Sequence, residues 1–247
     1  MGEPLIELID VRKSFGAAPV LSGVSFALEK GETFVIMGGS GSGKTVTLRL
    51  AAGLIRPDSG QVRAFGRNLE RLSEEELLPV RRRMGYVFQG AALFDSLTVY
   101  ENVAYSLREH TDLGEAEIRG QVIRFLGLVG LNGDVLSLLP AELSGGMRKR
   151  VGIARALIGA PEVILFDEPT AGLDPTNAKL VVELIEQVHA GVCDSSIVVT
   201  HDLDLTKTIA DRVAILIDGR FAALGPVGGV LQTHDPLVQA FLTGEAR

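Results

Sequence analysis

The chain has 247 residues, 46% of them hydrophobic and 22% charged, which is long enough to bury a core without disulfides or a structural metal. Its 31 acidic side chains outnumber 24 basic ones, leaving a net charge of −7, and this argues against a protein built mainly to grip nucleic acid. A single cysteine, Cys193, excludes an intrachain disulfide and a thiolate zinc cluster, and no apolar run in the chain approaches the roughly 18–20 residues that span a bilayer.

Met1-Gly2-Glu3-Pro4 has no basic stretch leading into an apolar run, so no secretory signal is expected. From residue 5 to about 27, alternating polarity punctuated by Gly and Pro predicts an antiparallel strand pair. Residues 33–37 read as a buried strand, and 46–53 as the helix that follows it. Ser73 and Glu76 form a possible capping box, with Leu72 and Leu77 placed to staple it and Pro79 placed to bend or end that helix early. The stretch 91–160 is mostly helical in pattern, with an amphipathic segment at 115–126 and an Arg-, Ala- and Gly-rich one at 145–157. Strands return at 163–166, 196–200 and 213–217. Strands that are apolar on both faces suit a parallel sheet covered by helices. The expected fold class is therefore α/β. Residues 1–90 and 161–247 form the core with its antiparallel β part, residues 91–160 form an inserted helical subdomain, and the whole, 1–247, is one domain.

Gly38-Gly39-Ser40-Gly41-Ser42-Gly43-Lys44-Thr45 matches G-x-x-x-x-G-K-[ST] and lies between the predicted strand and helix, which is the context that makes it a P-loop. Glycines let successive N–H groups turn onto phosphate oxygens with no Cβ in the way. The helix start aims its positive dipole end at the same charge. Lys44 reaches the β- and γ-phosphates, and Thr45 is a ligand for Mg²⁺.

Asp167 and Glu168 follow an apolar run, which puts them at the C-terminal end of a strand, where open α/β sheets bind ligands. Asp167 suits the Mg²⁺ shell, and Glu168 suits a general base acting on water. The alternative is a solvated turn ending at Pro169. His201 ends the next strand and either hydrogen-bonds a γ-phosphate or begins a surface turn. Gln89, after Tyr86-Val87-Phe88, reads by itself as a polar turn residue.

Leu143-Ser144-Gly145-Gly146-Met147 changes the reading. With the features above, it resembles the nucleotide-binding subunits of ABC transporters over residues 5 to about 244. The family form is L-S-G-G-Q, and Met147 stands here in place of the Gln. The resemblance implies a RecA-like ABC ATPase core, with ATP and Mg²⁺ as its ligands. Phe15 would stack on adenine, with a core Phe as the alternative. Gly38 to Thr45, with Val46 next to them, would be the Walker A loop, and Gln89 the Q-loop residue that also meets Mg²⁺. Asp167 and Glu168 would be the Walker B pair, Asp174 in Ala171-Gly172-Leu173-Asp174 the D-loop acid, and His201 the switch histidine. Lys44, Glu168 and His201 would act in catalysis. Ser144 is a natural N-cap for a helix beginning near Gly145, and that helix start is a second anion site. In the family, Ser144, Gly145 and Gly146 would close on the γ-phosphate held by the other copy of a homodimer. A non-ABC P-loop kinase would have no reason to carry this motif.

The stretch from Phe88-Gln89 through Ala92-Leu93-Phe94, then Asn102-Val103-Ala104 and Leu107-Arg108-Glu109-His110-Thr111, is similar to the ATPases paired with MCE-domain lipid transporters. The phospholipid-trafficking Mla system is an example. This similarity implies transport of phospholipid between bacterial membranes. The partners would be two copies of a transmembrane permease and an MCE-domain lipid-binding protein, with no nucleic acid. The chain would sit peripherally on the cytoplasmic face of the inner membrane, held there by the permease. An ABC importer ATPase for another cargo, and a soluble non-transport ABC ATPase, are the alternatives.

Overall fold

The computed structural model describes residues 2–244, which divide into two compact units, 2–81 with 194–244, and 82–193. Strands and helices are numbered along the chain. The first unit opens with β1 (Ile6–Phe15) and β2 (Ala18–Leu28), paired antiparallel as the alternating pattern requires. On its other edge β1 pairs with β4 (Ser59–Ala64), and β4 pairs with the two-residue β5 (Arg67–Asn68). A second layer carries β3 (Thr33–Gly38), flanked in parallel by β8 (Ser196–Thr200) and β9 (Arg212–Ile217), with β10 (Arg220–Pro226) antiparallel on β9. Every residue of β3 and β8 is buried. That explains their unbroken apolar runs, because a strand covered on both faces has no solvent side to mark with polar residues. Phe34 of β3 stacks on Phe26 of β2 at 4.7 Å between ring centroids.

Helix α1 (Lys44–Ala51) follows β3, and α2 (Glu74–Arg81) follows β5. The capping box expected at α2 is present: Ser73 N–H donates to Glu76 at 2.9 Å, and Glu76 N–H donates to the Ser73 hydroxyl at 3.3 Å. Pro79, expected to bend or end this helix, lies inside it. It forfeits one backbone bond, and the helix stops two residues later. Arg81 holds that last turn by donating to the Gly53 carbonyl at 2.5 Å and to Glu74 at 2.8 Å. The unit is completed by α7 (Leu203–Ile209), α8 (Val227–Leu231) and α9 (Pro236–Leu242).

The second unit contains β6 (Met84–Val87) and β7 (Val163–Asp167), paired in parallel, with α3 (Val99–His110), α4 (Glu115–Leu128), α5 (Gly145–Leu157) and α6 (Pro175–Gly191). The helices expected within 91–160 are therefore α3, α4 and α5. Asn102 of α3 is fully buried, and its amide holds the preceding loop together. It donates to the carbonyls of Phe94 (3.1 Å), Leu97 (2.9 Å) and Thr98 (3.0 Å), and accepts from Phe94 N–H at 2.8 Å. Replacing Asn102 with Ala strands these backbone groups, so it is expected to lower stability by about 3 kcal/mol, read from the shift in urea midpoint. Among the described residues no helix is long and apolar enough to cross a membrane.

Candidate active site

In the first unit, β3 ends on Gly38 and α1 begins at Lys44, so the glycine-rich turn joins a buried strand to a helix start. Gly41 (φ +77°) and Gly43 (φ +105°) hold left-handed backbone that only glycine adopts cheaply. A Cβ on Gly39 or Gly41 would meet nothing within 4 Å, whereas one on Gly43 would lie 2.8 Å from Leu21 Cδ2. The loop therefore faces open space on one side and packs on β2 on the other. Gly43 offers α1 no side-chain cap, which leaves helix-start N–H groups suited to an anion.

Lys44 is buried and folds back to donate to the carbonyls of Gly38 (2.8 Å) and Gly39 (3.0 Å). Its ammonium is thus already inside the loop where phosphate charge would sit. Ser42 Oγ is buried with no hydrogen-bond partner within the protein, and a phosphate oxygen or its water is the kind of partner such an atom needs. Ser40 is exposed, and Thr45 and Val46 are half-buried at the first turn of α1. The donor set fits a nucleoside triphosphate. Phe15, at the end of β1, is 53% exposed with Lys13 Nζ 5.5 Å from its ring centroid. Burial in the core is excluded, and the ring offers a free face for stacking. His201 follows β8 and is exposed, and Asp202 next to it caps α7 through Asp204 and Leu205 N–H groups, each at 3.0 Å.

In the second unit, all five residues of β7 are buried, and Asp167 ends the strand only 3% exposed. Tyr86 Oη donates to Asp167 Oδ2 at 3.3 Å. Glu168, also buried, carries φ +48°, an unusual backbone for a residue with a side chain. Among the described residues no group of three or more His, Cys, Asp or Glu could hold a metal ion. Mg²⁺ asks for less, since it binds through one or two carboxylates with substrate phosphates and water completing its shell. Asp167 suits a metal that arrives with the nucleotide.

Gln89 is exposed two residues beyond β6, and the turn after it is strained, with φ +63° at Ala91 and +47° at Ala92. Ser144 caps α5 as expected, accepting from Met147 N–H at 3.2 Å. Ser144 and Gly145 are exposed, and a Cβ on Gly145 would meet nothing within 4 Å, so this helix start is open. Gly146 is different: a Cβ there would lie 2.5 Å from Asn177 Oδ1. Asp174 is exposed, and its carboxylate caps α6, accepting from Thr176 and Asn177 N–H at 3.1 Å and from Asn177 Nδ2 at 2.6 Å. The bonds from Asn177, the side-chain one foremost, hold this carboxyl below the usual carboxylate range.

The basic residues that follow the Ser144 motif on α5 have partners that the sequence does not name. Each of these cations donates to backbone carbonyls. Arg148 reaches Leu143 O (2.5 Å), Lys149 reaches Glu168 O (2.8 Å), and Arg150 reaches Gly130 O (3.0 Å). Arg155 reaches Ala91 O and Ala92 O, both at 2.8 Å, clamping the strained turn after Gln89. A signal was present in the sequence. Residues 148, 149 and 150 are consecutive, so on a helix they point in three directions and cannot share one solvated face. Lys149 is buried, and this burial pushes its pKa down to about 8 against the pull of Glu168 and Asp167, which favour the charged form.

The family model described as ABC transporter matches residues 21–171, which span the P-loop, Gln89, the Ser144 motif and the Asp167-Glu168 pair. The chain belongs to the ABC transporter family. Among relatives of the family, the intermembrane phospholipid transport system ATP-binding protein MlaF of Haemophilus influenzae is 39% identical over 246 residues, covering 100% of this chain and 93% of that protein. The probable ribonucleotide transport ATP-binding protein mkl of Mycobacterium tuberculosis is 40% identical over 97% of this chain, and the chain spans 66% of its length. Among solved structures, the post-hydrolysis dimer of the ATP-binding cassette MJ0796 bound to ADP and Pi superimposes with a TM-score of 0.83 at 31% identity, covering 91% of this chain and 99% of that one. The α/β architecture is that of a P-loop NTPase of the ABC ATPase type. Phe15, Asp174 and His201 lie outside the span of the family match, and their assignment rests on the motif order alone.

Proposed function

We propose that this ABC cassette hydrolyses ATP to drive phospholipid transport between bacterial membranes, as one of two identical copies beneath a transmembrane permease. The observation that carries the lipid reading is the similarity to MlaF along nearly the whole of both chains. In this reading the amides of residues 38–45, the Ser40 and Ser42 hydroxyls and Lys44 bind the phosphates, and Phe15 stacks on the base. Thr45, Gln89 and Asp167 would hold Mg²⁺, which would supply neutralisation of phosphate charge. Glu168 accepts the proton of the attacking water, and His201 contacts the γ-phosphate from the end of β8.

The second nucleotide contact comes from the partner copy. The exposed start of α5, with Ser144, Gly145 and Gly146, donates to the γ-phosphate held in the opposite P-loop, while Asp174 lies on the turn leading into α6. Closure then depends on the γ-phosphate as a bridging anion, and its hydrolysis releases the dimer. The dimeric MJ0796 cassette supports this assembly. The permease, in two copies, and an MCE-domain lipid-binding protein complete the complex. The cassette is peripheral on the cytoplasmic face of the inner membrane.

A different cargo is the second reading, favoured by the name of the mkl relative, a probable ribonucleotide transporter component. Gentle detergent extraction with this chain tagged, followed by identification of the proteins and lipids that co-purify, tests the two. An MCE protein with its permease and bound phospholipid is the expected result. A solute-binding protein for a water-soluble cargo overturns the lipid reading.

A further inference from the structure

Glu168 is held against two local preferences. It precedes Pro169, and the residue before a proline is pushed sterically toward extended backbone. Yet its φ is +48°, in the left-handed region that disfavours any residue with a Cβ. Such a conformation persists only where surrounding contacts over-determine it. Two contacts meet the Glu168 carbonyl. The N–H of Ala171 donates at 3.2 Å and closes the turn, and Lys149 Nζ donates at 2.8 Å from α5.

Lys149 is costly where it stands. It is 6% exposed, on a helix whose neighbouring positions Val151, Gly152, Ile153 and Ala154 are also buried. An apolar residue of similar length would fill that space without desolvating an ammonium. What the ammonium provides is a charge-assisted bond to the backbone of Glu168, and that backbone sets the direction in which the Glu168 carboxylate leaves the chain.

We propose that Lys149 is a positioning residue for hydrolysis, fixing the left-handed backbone of Glu168 and so aiming its carboxylate at the water. The proposal rests on the assignment of Glu168 as the base. Lys149 acts through Glu168 and touches no nucleotide. Its loss therefore lowers the rate of the chemical step and leaves nucleotide binding alone, since its ammonium is spent on the Glu168 carbonyl and it is none of the residues assigned to the phosphates or the base.

The test uses full-length Lys149→Met and Lys149→Arg, with turnover expressed per ATP-binding site so that misfolded chain is not counted. Lys149→Met is expected to lower kcat about 10- to 100-fold with KM for ATP within about twofold, the split that misaiming a reacting group produces. Lys149→Arg, which keeps a cationic donor, is expected to recover most of kcat. A Lys149→Met kcat within about twofold of wild type, or a loss that Arg does not rescue, overturns the proposal. If Lys149→Met binds no ATP, Lys149→Gln replaces it and is read against the same outcomes. Glu168→Gln is run in parallel. If that variant turns over normally, it is the assignment of the base that has failed, whereas a dead Glu168→Gln beside an active Lys149→Met condemns Lys149 alone.

Discussion

Glu168→Gln is expected to lower ATP turnover by ~10²- to 10⁴-fold, the range for removing a positioned general base, while MgATP still binds. The substitution keeps the size and most of the hydrogen-bonding shape of the side chain but removes its ability to take a proton. Glu168 lies directly beyond β7, buried beside Asp167, with its backbone carbonyl bound by Lys149. The phosphate-binding loop, between β3 and α1, keeps its glycines and Lys44 in this variant. A cassette that binds but does not hydrolyse retains the γ-phosphate, so the variant should also accumulate as a dimer in MgATP and not in MgADP. Phosphate release, equilibrium binding and gel filtration read the three effects separately. Turnover above about a tenth of wild type would place the base elsewhere.

Ser144→Arg is the second large effect. It is expected to reduce turnover at least ~100-fold while each chain still binds ATP through its own P-loop. Ser144 is exposed at the start of α5, so a long side chain there can extend into solvent without disturbing the fold. Loss of the cap to Met147 N–H costs about 1 kcal/mol, too little to unfold a chain of this size. What the Arg side chain disrupts is the surface another molecule must approach. A thermal melting point within a few degrees of wild type, together with lost turnover, separates this from misfolding. Near-normal turnover would mean that the exposed helix start has no part in the reaction.

Much of this was legible in the residues. The strands at 33–37, 163–166, 196–200 and 213–217 announced themselves because a parallel strand buried on both faces is apolar throughout. The P-loop was legible because its chemistry is local: glycines for the left-handed turn, Lys44 inside it, and a strand and a helix on either side. Asp167 and Glu168 were legible as acids at a strand end, although the left-handed backbone of Glu168 was not, because the rule for a residue before proline points the other way. Pro79 shows the same limit. Its local rule ends a helix, but Arg81 reaching back to Gly53, distant in sequence, holds the last residues of α2. The four cations of α5 escaped for a related reason. Their partners are carbonyls up to 64 residues away, and nothing in the spacing of basic residues names an acceptor. Phe15 stood between core and surface until its exposure was known, since a lone aromatic at a strand end fits either.

In the proposed dimer each nucleotide is shared between two copies of the chain, and mixing two inactive variants tests that most directly. Lys44→Ala removes the ammonium from the loop, and Ser144→Arg blocks the helix start, so both sites of either homodimer are defective. A mixed dimer has one site with an intact loop from one chain and an intact helix start from the other. Equimolar mixing is therefore predicted to restore ATP hydrolysis, up to about a quarter of wild-type sites for random pairing of a twofold dimer. A mixture as inactive as its two components, with the mixed dimer shown to form in MgATP, would contradict the shared site.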